Sequence, residues 1–303
     1  MKPVLFLICI ALLSNEINSK FLRSLQSNTN NYDYSSYSAI STNEILSKAT
    51  LKSETQDASV VYITNSGITI TESTLTKESG DSSNTENSEF YGVNAAVLVQ
   101  GGGVTITGGT ISTKAKGANA LCATNKGTVQ ITGTTITSTG ESSARGLHAT
   151  YGGSITAIRV KVSSEGGSCA TLATDRGEGT VTCSGCTLST KGAGSPLIYS
   201  TGQITVSDST TGTSTGAQAV VVEGKNTATV QDSGLKCNGY GNRGNSDKVD
   251  KCGVMLYQSM SGDVVVEQVH LIAKALLLKF YQEVVYLIQL QCFLLLIQML
   301  QLI

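Results

Sequence analysis

Gly127-Thr-Val-Gln-Ile-Thr-Gly-Thr-Thr-Ile136 places apolar residues at 129, 131 and 136, with Gly133 breaking the run between them. Alternation that lasts a few positions and ends at a glycine marks a short strand followed by a turn. The same spacing returns as Ile68, Ile70, Leu75; Val104, Ile106, Ile111; Ile155, Ala157, Val162; Val181, Cys183, Leu188; Ile204, Val206, Thr211; and Ala228, Val230, Leu235. From Val104 onward the copies start 25, 26, 26, 23 and 24 residues apart, and the longer first interval of 36 holds the polar stretch Gly80 to Glu89. A helical repeat would need apolar spacings of three and four sustained over about ten residues or more, and a propeller blade about 40 residues for its four strands. Coils of the observed length fit three short strands separated by turns. The expected fold is all-β: a single-stranded right-handed parallel β-helix over residues 59–263, in coils of about 23 to 26 residues.

A further strand precedes each of these copies. Val61, Val97, Leu121, Leu147, Thr171 and Leu197 form one column, and Ile63, Val99, Ala123, Ala149, Ala173 and Tyr199 stand two positions later. Alternate side chains share a face, so both columns are expected to point inward. Between them, Tyr62, Leu98, Cys122, His148, Leu172 and Ile198 would point outward as an unusually apolar stripe. Either another segment covers such a stripe or it meets a ligand or partner. A hydroxyl ladder is expected through Thr64, Thr124, Thr150, Thr174 and Ser200, and turn glycines at 92, 117, 146, 167, 194 and 216.

The flanks differ from the coils. Lys2 followed by the apolar run Val4 to Leu13 and small residues at Ser14 and Ser19 reads as a secretory signal over residues 1–19, hence a secreted or cell-surface protein. Residues 20–58 form a polar leader; Asn28 to Ser38 reads as flexible, and Ser41-x-x-Glu44 before Ile45-Leu46 resembles a capping box that would start a short covering helix. Residues 264–303 abandon Gly, Ser and Thr for Leu, Ile and Gln. Two readings of that tail stand: a frame-shifted remnant of further coils, or a membrane anchor weakened by Gln289, Gln291, Gln298 and Gln301. A net charge of -1, without a clustered basic stripe, argues against nucleic acid as a partner.

These coils resemble the pectate-lyase-like superfamily of right-handed parallel β-helices, especially its adhesin-like and carbohydrate-binding members. The resemblance covers about Val60 to Asp263 and implies a polysaccharide or cell-surface glycan as partner, with no cofactor. Its enzymes would carry a carboxylate ladder for Ca²⁺ on the outer strands, where this chain has Thr105, Gln130, Thr156, Thr182, Thr205 and Thr229. A hydrolase of the superfamily would show paired aspartates near Gly-His-Gly, and the only histidines are His148 and His270. Adhesion, glycan binding or surface structure is therefore the expected role, with a polysaccharide lyase or hydrolase as the alternative. The candidate catalytic residues are Asp175 as base, Arg176 as clamp for a sugar acid, and His148. Candidate ligand contacts are Tyr151, Asp175 and Arg176, together with Tyr240, Asn242 and Arg243 in the polar stretch between Cys237 and Cys252, which a Cys237–Cys252 disulfide is expected to close. Cys183-x-x-Cys186 lies on a strand with no matching second pair, so a structural thiol or a disulfide is expected there rather than a metal or redox site.

Overall fold

The alternating apolar positions stack from coil to coil into three parallel ladders, the first, second and third sheets, the last two joined through the continuous strand Thr227–Cys237. The computed structural model describes residues 9–13, 30–34, 45–223, 226–237, 253–259, 270–280 and 283–286; of these, 9–13, 256–259 and all from 270 onward are described as backbone alone. The chain winds into a parallel β-solenoid of about 8 turns with almost no helix. In the second sheet Ile68, Val104, Val129, Ile155, Val181, Ile204 and Ala228 lie in register, as do Ile70, Ile106, Ile131, Ala157, Cys183, Val206 and Val230. The third sheet aligns Leu75, Ile111, Ile136, Val162 and Leu188. All of these side chains are buried in one continuous core, each Val, Leu or Ile contributing about 1.5–3 kcal/mol by leaving water. Between the inward columns, outward threonines and serines form hydroxyl rungs, such as Ser112 donating to Thr76 at 3.1 Å.

Several expectations are corrected. The solenoid begins before residue 59: Ile45–Ser47 and Thr50–Ser53 already pair in parallel with Ile68–Thr71 and Thr74–Lys77, so Ile45 and Leu46 lie in a strand and not in a covering helix. Leu46 and Leu51 face the core, which a strand's alternation allows. The third-sheet position assigned to Thr211 belongs to Gly212, which pairs with Leu188 and Leu235. A Cβ there would stand 2.5 Å from Leu197 Cδ1, because Leu197 fills the space that a side chain at 212 would need.

The first sheet also departs from the expected columns. Leu147 pairs with Leu172, and Leu172 with Ile198, so from the fifth coil onward the register is shifted by one residue. Leu172 and Ile198 point inward, while Ala173 and Tyr199 continue the outward column of His148. The shift buries two larger apolar side chains and leaves Thr171 at the corner, where its hydroxyl donates to the Leu197 carbonyl at 2.6 Å. It also divides the expected hydroxyl ladder. Thr150 donates to Thr124 at 2.9 Å, but Thr174 aligns with Ala149 and Ser200 with Val222, inside the coil.

The corners explain the glycines. Of those expected to need positive φ, Gly92, Gly117 and Gly194 have it. A different column, Gly140, Gly166, Gly192 and Gly216, is set by space: a Cβ on Gly166, Gly192 or Gly216 would meet the carbonyl oxygen of the preceding glycine at 2.0, 1.9 and 2.2 Å. Cys183 and Cys186 are disulfide-bonded across the next corner, whereas Cys122 and Cys169 are buried free thiols. Cys237 is buried and Cys252 lies outside the described residues, as do Tyr240, Asn242 and Arg243.

Two end segments complete the stack. The backbone of Cys9–Leu13 pairs in parallel with Met255 to Ser259, and His270–Phe280 pairs in parallel with Thr227–Cys237. On its outer edge Met255 to Ser259 is thus paired, among the described residues, only by the apolar N-terminal run, and removal of that run on export would leave its row of backbone N–H and C=O groups as an edge.

Candidate functional site

Between the third-sheet strand Thr74–Lys77 and the first-sheet strand Val97–Gln100, the polar insertion folds into a short helix, α1 (Thr85–Tyr91). Asn84 caps it, its side chain accepting from the Glu86 N–H at 2.9 Å, and Gly92 ends it in a left-handed conformation with φ 74°. α1 lies over the outward face of the first sheet. Beside it runs Asn30–Tyr34, corrected from a flexible leader to a packed strap: Asn30 and Asn125 exchange backbone-to-amide hydrogen bonds, and the Tyr34 hydroxyl donates to the Tyr91 carbonyl at 2.8 Å. Together they bury Tyr62, Leu98 and Cys122. The apolar stripe is covered by the chain itself.

Arg145 holds this cover down, and it was not among the expected site residues. Its guanidinium is 4% exposed and donates to Asp175 at 2.9 Å, with Glu89 of α1 at 3.6 Å and the Tyr199 ring centroid at 5.5 Å. His148 is fully buried; its Nε2 lies 2.7 Å from the Glu89 carbonyl oxygen and both ring nitrogens lie 3.4 Å from Arg145. Ser143 donates to the Glu89 carboxylate. Two carboxylates thus share one buried cation. Burial, reinforced by the Glu89 charge, pushes the Asp175 carboxyl up to about 6 against the attraction of Arg145. Burial and the adjacent guanidinium hold His148 well below its ordinary 6.5, so it is the neutral tautomer that meets the Glu89 carbonyl.

Of the expected residues, the structure brings His148, Asp175, Tyr151 and Arg176 to one side of neighbouring coils. Their roles in the geometry differ. His148 and Asp175 are enclosed, with Asp175 also accepting from the Arg176 N–H at 3.0 Å. Arg176 is half-buried and stacks on Phe90 with its guanidinium carbon 3.6 Å from the ring centroid, and among the described residues no carboxylate pairs with it. Tyr151 stacks on Tyr91 at 5.8 Å and 10°, and Tyr91 on Tyr32 at 4.7 Å and 22°, so three half-buried tyrosines form a row ending beside Arg176. Burial, aided by Tyr91, pushes the Tyr151 phenol up to about 12. The aromatic members from α1 and the strap were legible only as isolated residues. A polar insertion in one coil beside an outward apolar stripe was the signal for a cover. Among the described residues no group of three or more His, Cys, Asp or Glu side chains is placed to hold a metal ion.

The enclosed cluster makes a pH prediction whose two parts oppose each other. The unfolded chain takes a proton on His148 below about 6.5 and the folded chain does not, so stability falls as pH drops below that value. Asp175 acts in the other direction, because the folded chain protonates it near 6 while the unfolded chain waits until 3.8, which stabilises the fold across that window. Wild-type melting temperature is expected to change little from pH 6 to 4, whereas Asp175→Asn loses the offset and falls steeply. Thermal melts followed by circular dichroism across that range test this, and parallel profiles for the two proteins would refute the assignment.

In comparisons with known proteins, no family model matches this chain, and no match is found among curated proteins or solved structures.

Proposed function

We propose that the protein is a secreted or cell-surface solenoid acting in adhesion or surface structure, and that it binds an acidic carbohydrate at the ledge formed by Arg176, Tyr151, Tyr91 and Tyr32. One observation carries this reading: Arg176 sits over the Phe90 ring, its guanidinium carbon 3.6 Å from the centroid, and among the described residues no carboxylate pairs with it. A planar guanidinium fixed by an aromatic ring is suited to two parallel hydrogen bonds with a sugar carboxylate. The tyrosine row beside it supplies hydroxyls and ring edges along the direction in which a glycan would continue. Export is supported by the charged-then-apolar N-terminus and by the Cys183–Cys186 disulfide, since disulfides persist in oxidising compartments. Tyr240, Asn242 and Arg243 are proposed as a second contact loop.

Oligogalacturonate titration of the full chain tests the ledge. Arg176→Ala is expected to weaken binding by about tenfold or more, the loss of a charged hydrogen-bond pair, with the β circular dichroism at the assay temperature unchanged. Equal affinities would remove the proposal. The alternative of a lyase or hydrolase has one observation in its favour, the Asp175 carboxyl that burial lifts to about 6. Its oxygens, however, are engaged by Arg145 and the Arg176 N–H. Polygalacturonate with Ca²⁺ is expected to give no rise in ultraviolet absorbance; a rise abolished by Arg176→Ala would establish the lyase instead.

A further inference from the structure

We infer that the last turn of α1 occupies a peptide-docking site on the solenoid, from which an acidic peptide bearing an aromatic residue displaces it. The polar contacts across this junction are one-sided. Apart from Asn87, whose amide donates to the Tyr32 hydroxyl of the strap at 3.5 Å, the donors belong to the solenoid or the strap: Asn119 Nδ2 to the Ser88 carbonyl at 2.9 Å, His148 Nε2 to the Glu89 carbonyl at 2.7 Å, Tyr34 to the Tyr91 carbonyl at 2.8 Å, and Ser143 to the Glu89 carboxylate, which also forms an ion pair with Arg145 at 3.6 Å. The acceptors of these four bonds all belong to residues 88–91. Three main-chain carbonyls and one carboxylate are what a peptide presents and what a sugar chain does not. Asn119, Arg145 and His148 are at least nine-tenths buried beneath α1, and Asn119 and Arg145 also have partners within the solenoid, the Arg145 N–H and Asp175.

Two features make the occupant exchangeable. Arg145 has its closer partner in Asp175 at 2.9 Å and holds Glu89 at 3.6 Å, so the solenoid cation keeps a partner when Glu89 leaves. The insertion is also bounded by two sharp turns at glycines in left-handed conformation, Gly80 with φ 79° and Gly92 with φ 74°, which set it apart from the rungs as one segment. Removing α1 uncovers Leu98 and Cys122, an apolar strip that an incoming aromatic side chain would cover again. The favoured ligand is therefore an extended or turn-forming segment of the Glu-aromatic type, matching Glu89-Phe90-Tyr91 in chemistry.

The probe is a labelled peptide with the sequence of residues 82–93, titrated into the full chain by fluorescence anisotropy. The variant Ser88→Pro/Glu89→Ala, which unseats the resident turn, is expected to bind it at least about tenfold more tightly than wild type, and adding Arg145→Gln is expected to abolish that gain. Equal binding by wild type and the unseated variant, or a gain indifferent to Arg145→Gln, overturns the inference. Should the variant lose its β circular dichroism, the wild type gives the answer by hydrogen exchange. Saturating peptide must speed exchange of the amides of residues 88–92 while leaving the rungs unchanged, and no acceleration overturns the inference. The ledge shares Phe90 and Tyr91 with α1, so oligogalacturonate binding is measured on the wild type without peptide, and Arg176→Ala, which leaves Asn119, Arg145 and His148 in place, separates failure of the ledge from failure of the docking site.

Discussion

Arg145→Met is expected to destabilise the solenoid by about 3–5 kcal/mol, the loss usual when one partner of a buried ion pair is removed and the other is left without compensation. Methionine keeps the stem that packs in the corner, so the loss measures charge and hydrogen bonding more than volume. Asp175 and Glu89, 13% and 30% exposed in the wild type, would then have no cation between them, and one of the two must take a proton or turn further to water. Adding Asp175→Asn to the variant is expected to recover part of the loss, because it removes the stranded charge. Urea denaturation followed by far-ultraviolet circular dichroism measures both steps. A loss below about 1 kcal/mol for Arg145→Met would show that the cluster is a solvated surface pair.

The second large effect belongs to a methyl group. Gly192→Ala puts a Cβ 1.9 Å from the Gly166 carbonyl oxygen and 2.3 Å from its carbon, and both atoms are backbone of the preceding coil. Neither can rotate away as a side chain would, so the two coils must separate at that corner. The expected loss is at least about 2 kcal/mol, at the upper end of overpacking effects. Gly133→Ala is the internal control, since nothing lies within 4 Å of a Cβ there; only its φ of 65° opposes the substitution. Gly192→Ala should therefore melt well below Gly133→Ala, and the reverse order would mean that the corner column yields more readily than its spacing implies.

The second sheet was legible because an apolar residue, any residue, then an apolar residue has only one register that buries both, and the third followed from it except at Gly212, where no apolar side chain marks the column. Leu172 and Ile198 were misplaced for the opposite reason. Leu172 is followed by Ala173, and Ile198 lies between Leu197 and Tyr199, so either register offers apolar side chains and alternation carries no information. The corner lengths vary as well: Leu147 stands eight residues before Ile155, and Leu172 nine before Val181. In the site, His148, Tyr151, Asp175 and Arg176 were visible as polar or aromatic residues on adjacent coils of a chain with few charges. Arg145 was not, because its meaning depends on where Glu89 travels, and the path of an insertion is decided by the face it covers and not by its own composition.

α1 also bears on how the molecule responds to force. Pulled from its ends, a parallel solenoid would surrender one coil at a time, each releasing about 80 Å of chain for an axial rise of about 5 Å. α1 departs before the rung of Val97, yet its Glu89 is gripped by Ser143, Arg145 and His148, on the far side of the intervening rung of Leu121. Those coils are stapled across their stacking direction, so they would yield together when the grip on Glu89 breaks. Such a staple turns a gradual unravelling into a single longer give when the grip on Glu89 fails.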